Sequence, residues 1–212
     1  MILAARCSTV AAIRIASIEG IGMNEVQTGA SSALFGSWRH TSVSRGVGEF
    51  HGRRPVLVTA KGEAVLALPV EGLDGRRLAE FMALCGPVVP QLVITERRAL
   101  ALGLDASTPI ALSLSAGDGA RKILALVSDT TNDRLPAARP ASPAAAAAIQ
   151  LVKLSQSLPA VLAANLVGHT IACEESIVGV EADAVTDFAD HATRSLIVAS
   201  EASMPLNSGT PT

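Results

Sequence analysis

The segment Ser142–Asn165, SPAAAAAIQLVKLSQSLPAVLAAN, constrains this 212-residue chain more than any other. Ser142 followed by Pro143 reads as an N-cap and a first helical position: the serine oxygen takes up an orphan N–H, and proline donates none. Apolar Ile149, Val152 and Leu154 are interleaved with Gln150, Lys153 and Gln156, which predicts a helix running to about Ser157. Pro159 then precedes a β-favouring run, Val161–Ala164, read as a strand. A helix that opens on five alanines (Ala144–Ala148) offers methyl groups where a functional helix would offer chemistry.

The remaining chain alternates in the same way. Pro55–Thr59 (PVLVT) and Ala64–Val70 (AVLALPV) flank Lys61-Gly62 and read as a hairpin or tight strand connection. Leu78, Phe81, Met82 and Cys85 follow at helical spacing within Leu73–Cys85, and Gly86-Pro87 ends that helix. Gln91–Ile94 is a strand. Thr95 is an N-cap for a short helix through Leu102, which Gly103 stops. Pro109–Ser113 is a further strand, and Asp118 is expected to cap a helix holding Ile123, Leu124 and Val127. Pro136, Pro140 and Pro143 exclude a continuous helix over Ser128–Pro143. After a loop, Ala182–Thr193 is a short amphipathic helix presenting Val185, Phe188 and Ala192. Ser195–Ala199 (SLIVA) begins something new. The expected class is α/β, or mixed α+β, with a layered central sheet and flanking helices.

Composition narrows function by exclusion. Apolar residues make up 49% of the chain, enough for a core, while aromatics make up 2%, with no Tyr and one Trp. Stacking platforms for bases or sugars are therefore not expected, and the core must be Ala, Leu and Val packed closely. A formal charge of −2 points to neither nucleic acid nor an anionic membrane surface. No segment reaches the roughly 20 apolar residues of a membrane span. Cys7, Cys85 and Cys173 are widely spaced, without C-x-x-C, which fits buried thiols in a reducing, cytoplasmic setting. Residues 1–40 are rich in Ser, Gly and Ala and read as disordered or loosely helical, with order beginning near Val43. Met1–Gly22, with Arg6 and Arg14 and no acid before Glu19, has two readings. It is a transit peptide, or an overlong start with translation beginning at Met23; the second is preferred.

Motifs that carry chemistry are sparse. His169 and Cys173 lie four apart but lack a second ligand pair. Glu174-Glu175 are neighbours that point to opposite faces of an extended chain. Gly117-Asp118-Gly119 lacks the G-x-x-x-x-G-K pattern and reads as a turn into a helix. Arg53-Arg54, Arg76-Arg77 and Arg97-Arg98 could clamp a phosphate, although solvated faces are the ordinary reading of such pairs. His191, with Asp187 and Asp190 nearby, reads as a surface ion pair. G-x-S-x-G, G-x-G-x-x-G and H-E-x-x-H are absent. No catalytic, cofactor-binding or metal-binding residue is therefore assigned.

Ile94–Leu104 (ITERRALALGL) resembles the L-T-E-E-R-x-x-x-L-G-L segment of the 3,4-dihydroxy-2-butanone-4-phosphate synthase family. GRRPVLV, followed by LDGRRLAEFMALCG, resembles that family's first strand and first long helix. AAIQLVKLSQSLPAVLAAN resembles its G-H-T-E-A-A-V-D-L-A-x-L-A-G-L-x-P-A-x-V-L-x-E segment, so the likeness runs over about Val43–Asn165. It is carried by scaffold positions. The family's acidic R-E-N-E-G-D loop is reduced to Lys61-Gly62-Glu63, leaving one carboxylate. Its G-H-T-E becomes approximately Pro143-Ala144-Ala145-Ala146, and its T-G-x-S phosphate loop has no counterpart after Leu112–Ser115. Methyl groups neither bind a metal nor shuttle a proton. The lone Gly168-His169-Thr170 lies beyond the matched segment.

Ser195–Leu206 (SLIVASEASMPL) in turn resembles the opening strand of GTP cyclohydrolase II, V-x-x-x-x-E-A-x-L-P. The two resemblances imply an extension over 1–42, a degenerate synthase-like domain over 43–167, a connecting segment over 168–194, and the first strand of a truncated cyclohydrolase domain over 195–212. They imply a parent that opens the GTP ring with cysteine-bound zinc, releasing formate and pyrophosphate; that zinc belongs to the missing domain and no cofactor is expected in this chain. They further imply a homodimer, and a covalently fused cyclohydrolase as partner. The alternatives are a dimerisation or interaction module without enzymatic role, and an active magnesium-dependent lyase acting on ribulose 5-phosphate.

Overall fold

Near-continuous apolar runs in the central strands build a sheet that is buried on both faces. The computed structural model describes residues 37–115, 117–129, 135–168 and 176–194. Seven strands, β1 (Val56–Ala60), β2 (Glu63–Pro69), β3 (Gln91–Ile94), β4 (Ile110–Ser113), β5 (Ala138–Pro140), β6 (Ala160–Asn165) and β7 (Val178–Glu181), form one sheet in the order β5-β4-β3-β6-β2-β1-β7. All neighbours are antiparallel except β1 and β7, which pair in parallel with Val58 opposite Val180.

Among the described residues six helices flank it: α1 (Trp38–His51), α2 (Gly75–Cys85), α3 (Glu96–Ala101), α4 (Ala120–Ser128), α5 (Pro143–Leu154) and α6 (Ala182–Arg194). Val56, Val58, Val65, Ala67, Val93, Val161, Ala163 and Val180 point to one face, where α1, α5 and α6 cover them. Leu66, Leu68, Leu92, Ile94, Leu112 and Leu162 point to the other, under α2, α3 and α4. Period-two alternation thus sorts the strand valines to one layer and the strand leucines and isoleucines to the other. The expected layered α/β class is the class observed.

Local chemistry explains the legible elements. Gly62 takes φ +75° in the two-residue turn between β1 and β2, where Ala60 pairs with Glu63. Asp74 and Thr95 each accept a hydrogen bond from a backbone N–H three residues on, at 2.8 and 3.2 Å, and so start α2 and α3. Ser142 does the same for α5 at 3.4 Å. The buried alanines of α5 let its backbone lie close to β1, β2, β3 and β6.

Four expectations are corrected. Asp118 does not cap α4: Gly119 holds that position, and Asp118 instead accepts from the Ser115 N–H at 2.9 Å and from Lys122 at 2.6 Å. Order begins before Val43, because α1 starts at Trp38. Its buried stripe is Val43, Gly46 and Phe50, and a Cβ on Gly46 would lie 2.9 Å from Val180. The proline-rich stretch before α5 contains a strand, β5, whose Pro140 is tolerated because β5 is at the sheet edge. The loop expected before Ala182 contains β7, recruited by the free edge of β1.

Candidate functional site

The β1–β2 hairpin and the N-terminus of α5 are the two places where the synthase resemblance would put a reaction centre. Folding brings them together. The Glu63 carboxylate, at the first position of β2, accepts a hydrogen bond from the Ala144 N–H at 3.1 Å, across 81 residues of chain. Ser142 takes the next N–H, that of Ala145. The first turn of α5 is therefore capped twice, once locally and once from the sheet, and the carboxylate faces the positive end of the helix dipole. Ala144 and Ala148 are fully buried, and Ala145 and Ala147 nearly so. These methyl groups are core material facing β-strands, and the polar groups at the helix start, the Ser142 hydroxyl and the Glu63 carboxylate, both serve as caps.

Beside the hairpin, Thr59, Ala60, Lys61, Gly62, Glu181, Ala182 and Asp183 line a cavity of about 330 Å³. Glu181 lies 3.6 Å from Arg39, whose other amine reaches Asp187 at the same distance, so Arg39 ties α1 to β7 and α6. The synthase resemblance implies a divalent cation at the hairpin and helix start. The residues present do not fit one: Glu63 is already an acceptor for a main-chain N–H, and its neighbours on α5 are alanines. Among the described residues no group of three or more His, Cys, Asp and Glu side chains is placed to hold a metal ion.

The three arginine pairs have separate fates. Arg98 is half-buried and donates to the carbonyls of Leu126 (3.0 and 2.9 Å) and Asp129, closing the C-terminal end of α4 from α3. Arg97 is exposed. Arg76 bonds Glu80 one turn along α2 at 2.8 Å. Arg53, Arg54 and Arg77 converge on one cleft with Gly52, Pro55, Leu68, Glu80, Phe81 and Leu84. There Arg54 forms a two-pronged ion pair with Glu49, and Arg77 donates to the Arg53 carbonyl.

Two carboxyls are held below their usual range. The hydrogen bond from Lys122, helped by the Ser115 N–H, does this to Asp118, and the hydrogen bond from Arg54 does it to Glu49. Burial pushes the Cys85 thiol up to about 12. His169, Cys173, Glu174 and Glu175 lie outside the described residues, as do Ser195–Leu206 and the side chain of His191. The contact between Glu63 and Ala144 was not foreseen from sequence. Its only sequence signal is an acid that directly follows a glycine turn.

No protein-family model matches this chain, and no curated protein matches its sequence. Solved structures do share its fold. One is a 3,4-dihydroxy-2-butanone 4-phosphate synthase of Candida albicans, with a TM-score of 0.51, 15% identity, and coverage of 69% of this chain and 96% of that one. Another is a 3,4-dihydroxy-2-butanone 4-phosphate synthase described in complex with two magnesium ions. Its TM-score is 0.52, with 14% identity and coverage of 73% of this chain and 99% of that one. The chain is thus similar in fold to nearly the full length of these synthases.

Proposed function

We propose that this chain supplies a non-catalytic, synthase-like domain to a riboflavin-biosynthesis protein whose C-terminal continuation is a GTP cyclohydrolase II domain. The reading rests on the shared fold, on the scaffold motifs of Ile94–Leu104 and Pro143–Asn165, and on the resemblance of Ser195–Leu206 to a cyclohydrolase opening strand. One observation carries the non-catalytic part. At the place where the resemblance expects a metal-binding imidazole and an acid, the carboxylate of Glu63 is bonded to the Ala144 N–H and the flanking side chains are methyl groups. A lyase acting on a sugar phosphate must remove and return protons, and among the described residues the first turn of α5 offers only methyl groups for that task.

In this role the domain holds its fused partner in place and leaves the ring-opening step to the zinc of that partner. The purified chain is expected to yield neither 3,4-dihydroxy-2-butanone 4-phosphate from ribulose 5-phosphate with magnesium, nor formate from GTP with zinc. Formation of the butanone phosphate overturns the non-catalytic reading. The fusion is tested separately by the DNA that follows the Thr212 codon, where an in-frame cysteine cluster is expected.

A further inference from the structure

The cleft at the junction of α1, β1 and α2 lies away from the hairpin and helix start, shares no residue with them, and is built unusually. Helix α1 closes with the Arg53 N–H on the Phe50 carbonyl and the Arg54 N–H on the Glu49 carbonyl, a pattern that needs a left-handed residue at position 53. Glycine is the ordinary occupant of that position. Here the glycine sits one residue early, at 52, and Arg53 takes φ +57°. Backbone of this kind is held in place by its surroundings and concentrates at functional sites.

The side chains continue the pattern. The Arg53 guanidinium lies over Gly72, where a Cβ would come within 2.5 Å of it, and the Arg54 guanidinium lies over Gly52, where a Cβ would come within 2.6 Å. Two residues without side chains therefore leave room for two guanidinium groups. Arg54 is neutralised by Glu49, and Glu80 on the rim is paired with Arg76. Arg77 uses one amine on the Arg53 carbonyl and keeps its others, while the Arg53 guanidinium has no protein acceptor among the described residues. Pro55, Leu68, Phe81 and Leu84 supply the apolar part of the lining, and the cleft is about 340 Å³, the size of a small-molecule site.

We propose that this cleft binds a phosphate monoester with a small apolar body, its dianionic head on Arg53 and Arg77 and its body against Phe81 and Leu84. Guanidinium forks match phosphate oxygens two at a time, which a lysine at the same place would not do.

Calorimetric titration of the whole chain with phenyl phosphate, inorganic phosphate and benzyl alcohol tests this. Phenyl phosphate is expected to bind more tightly than inorganic phosphate, benzyl alcohol not at all, and added salt is expected to weaken binding. Arg53→Gly should weaken phenyl phosphate by about tenfold or more while leaving the melting temperature unchanged or raised, because glycine accepts the left-handed backbone. Arg77→Met should weaken binding similarly. Absence of millimolar binding by the parent chain, equal affinity in Arg53→Gly, or equal affinity for inorganic phosphate would each overturn the proposal.

Discussion

Glu63 and Ala144 are joined by a 3.1 Å hydrogen bond from the backbone of α5 to a side chain of β2, and this contact fastens the alanine helix to the hairpin. It satisfies one of the N–H groups that every helix start leaves open, and it sets a negative charge against a positive helix end. Ala144 is fully buried, so water cannot easily replace the carboxylate. Glu63→Ala is expected to lower unfolding free energy by about 1–2 kcal/mol. Glu63→Gln keeps an acceptor oxygen and loses only the charge, so its cost should be smaller. Urea unfolding of the two variants separates the terms; equal, negligible effects would remove the contact from the account of stability.

The same burial bears on whether an imidazole can be placed at the start of α5. Ala144→His would place an imidazole where a methyl group is already 0% exposed. Overfilling a packed core typically costs about 1–3 kcal/mol, and an imidazole without a partner adds a polar penalty. The variant is expected to be less stable than the parent and still inactive toward ribulose 5-phosphate with magnesium. Activity in this single variant would overturn the non-catalytic reading.

How much of this was readable in advance depends on distance along the chain. The hairpin at Lys61-Gly62, the caps at Thr95 and Ser142 and the stop at Gly103 are local devices, and each appears where its residues predict. Helix α1 was not legible because Gly46, Gly48, Thr41, Val43 and Val47 are poor helix formers; tertiary packing of Val43 and Phe50 overrides them. The strand β7, VGVE, is too short and glycine-bearing to announce itself, and it forms because β1 offers a free edge. The site was half legible. Its alanines were plain, but the contact of Ala144 with Glu63, and of Arg77 with the Arg53 carbonyl 24 residues away, is a product of topology alone.

Cap geometry allows a ranking. Asp74 accepts the Arg77 N–H at 2.8 Å, whereas Ser142 accepts the Ala145 N–H at 3.4 Å, near the limit for such a bond. Asp74 also carries a charge at a helix start. Asp74→Ala is therefore expected to cost about 1 kcal/mol and Ser142→Ala less, since Glu63 already serves the same helix. Thermal melts of both variants check the order.

Acid stability should carry the mark of Asp118. Its carboxyl is held below the usual range chiefly by the Lys122 hydrogen bond, with the Ser115 N–H adding to it, and its side chain is 10% exposed. A depressed folded-state value means the unfolded chain takes up the proton first as pH falls. The contribution is complete above the ordinary aspartate value of about 3.9 and is lost below it. Asp118→Asn should flatten the fall in stability on descending through that window, read from urea midpoints at successive pH values. An unchanged slope would mean that the pair with Lys122 contributes nothing to folding.

At alkaline pH the sign reverses and Cys85 takes over. Cys85, the last residue of α2, is 2% exposed, and burial pushes the thiol up to about 12, so ionisation is resisted in the folded state. Free thiols ionise near 8.5. Stability is therefore full below about 8.5 and declines as pH rises toward the folded value, by up to about 1.4 kcal/mol per pH unit for this one group. Alkylation mapped to the Cys85 peptide should be negligible in the folded protein at pH 8 and rapid in denaturant, because the thiolate is the nucleophile. Cys85→Ala should remove the alkaline slope while lowering stability at neutral pH through the small cavity it leaves. Rapid labelling of Cys85 without denaturant would show that α2 lifts off the sheet readily, and the slope would then have to come from another group.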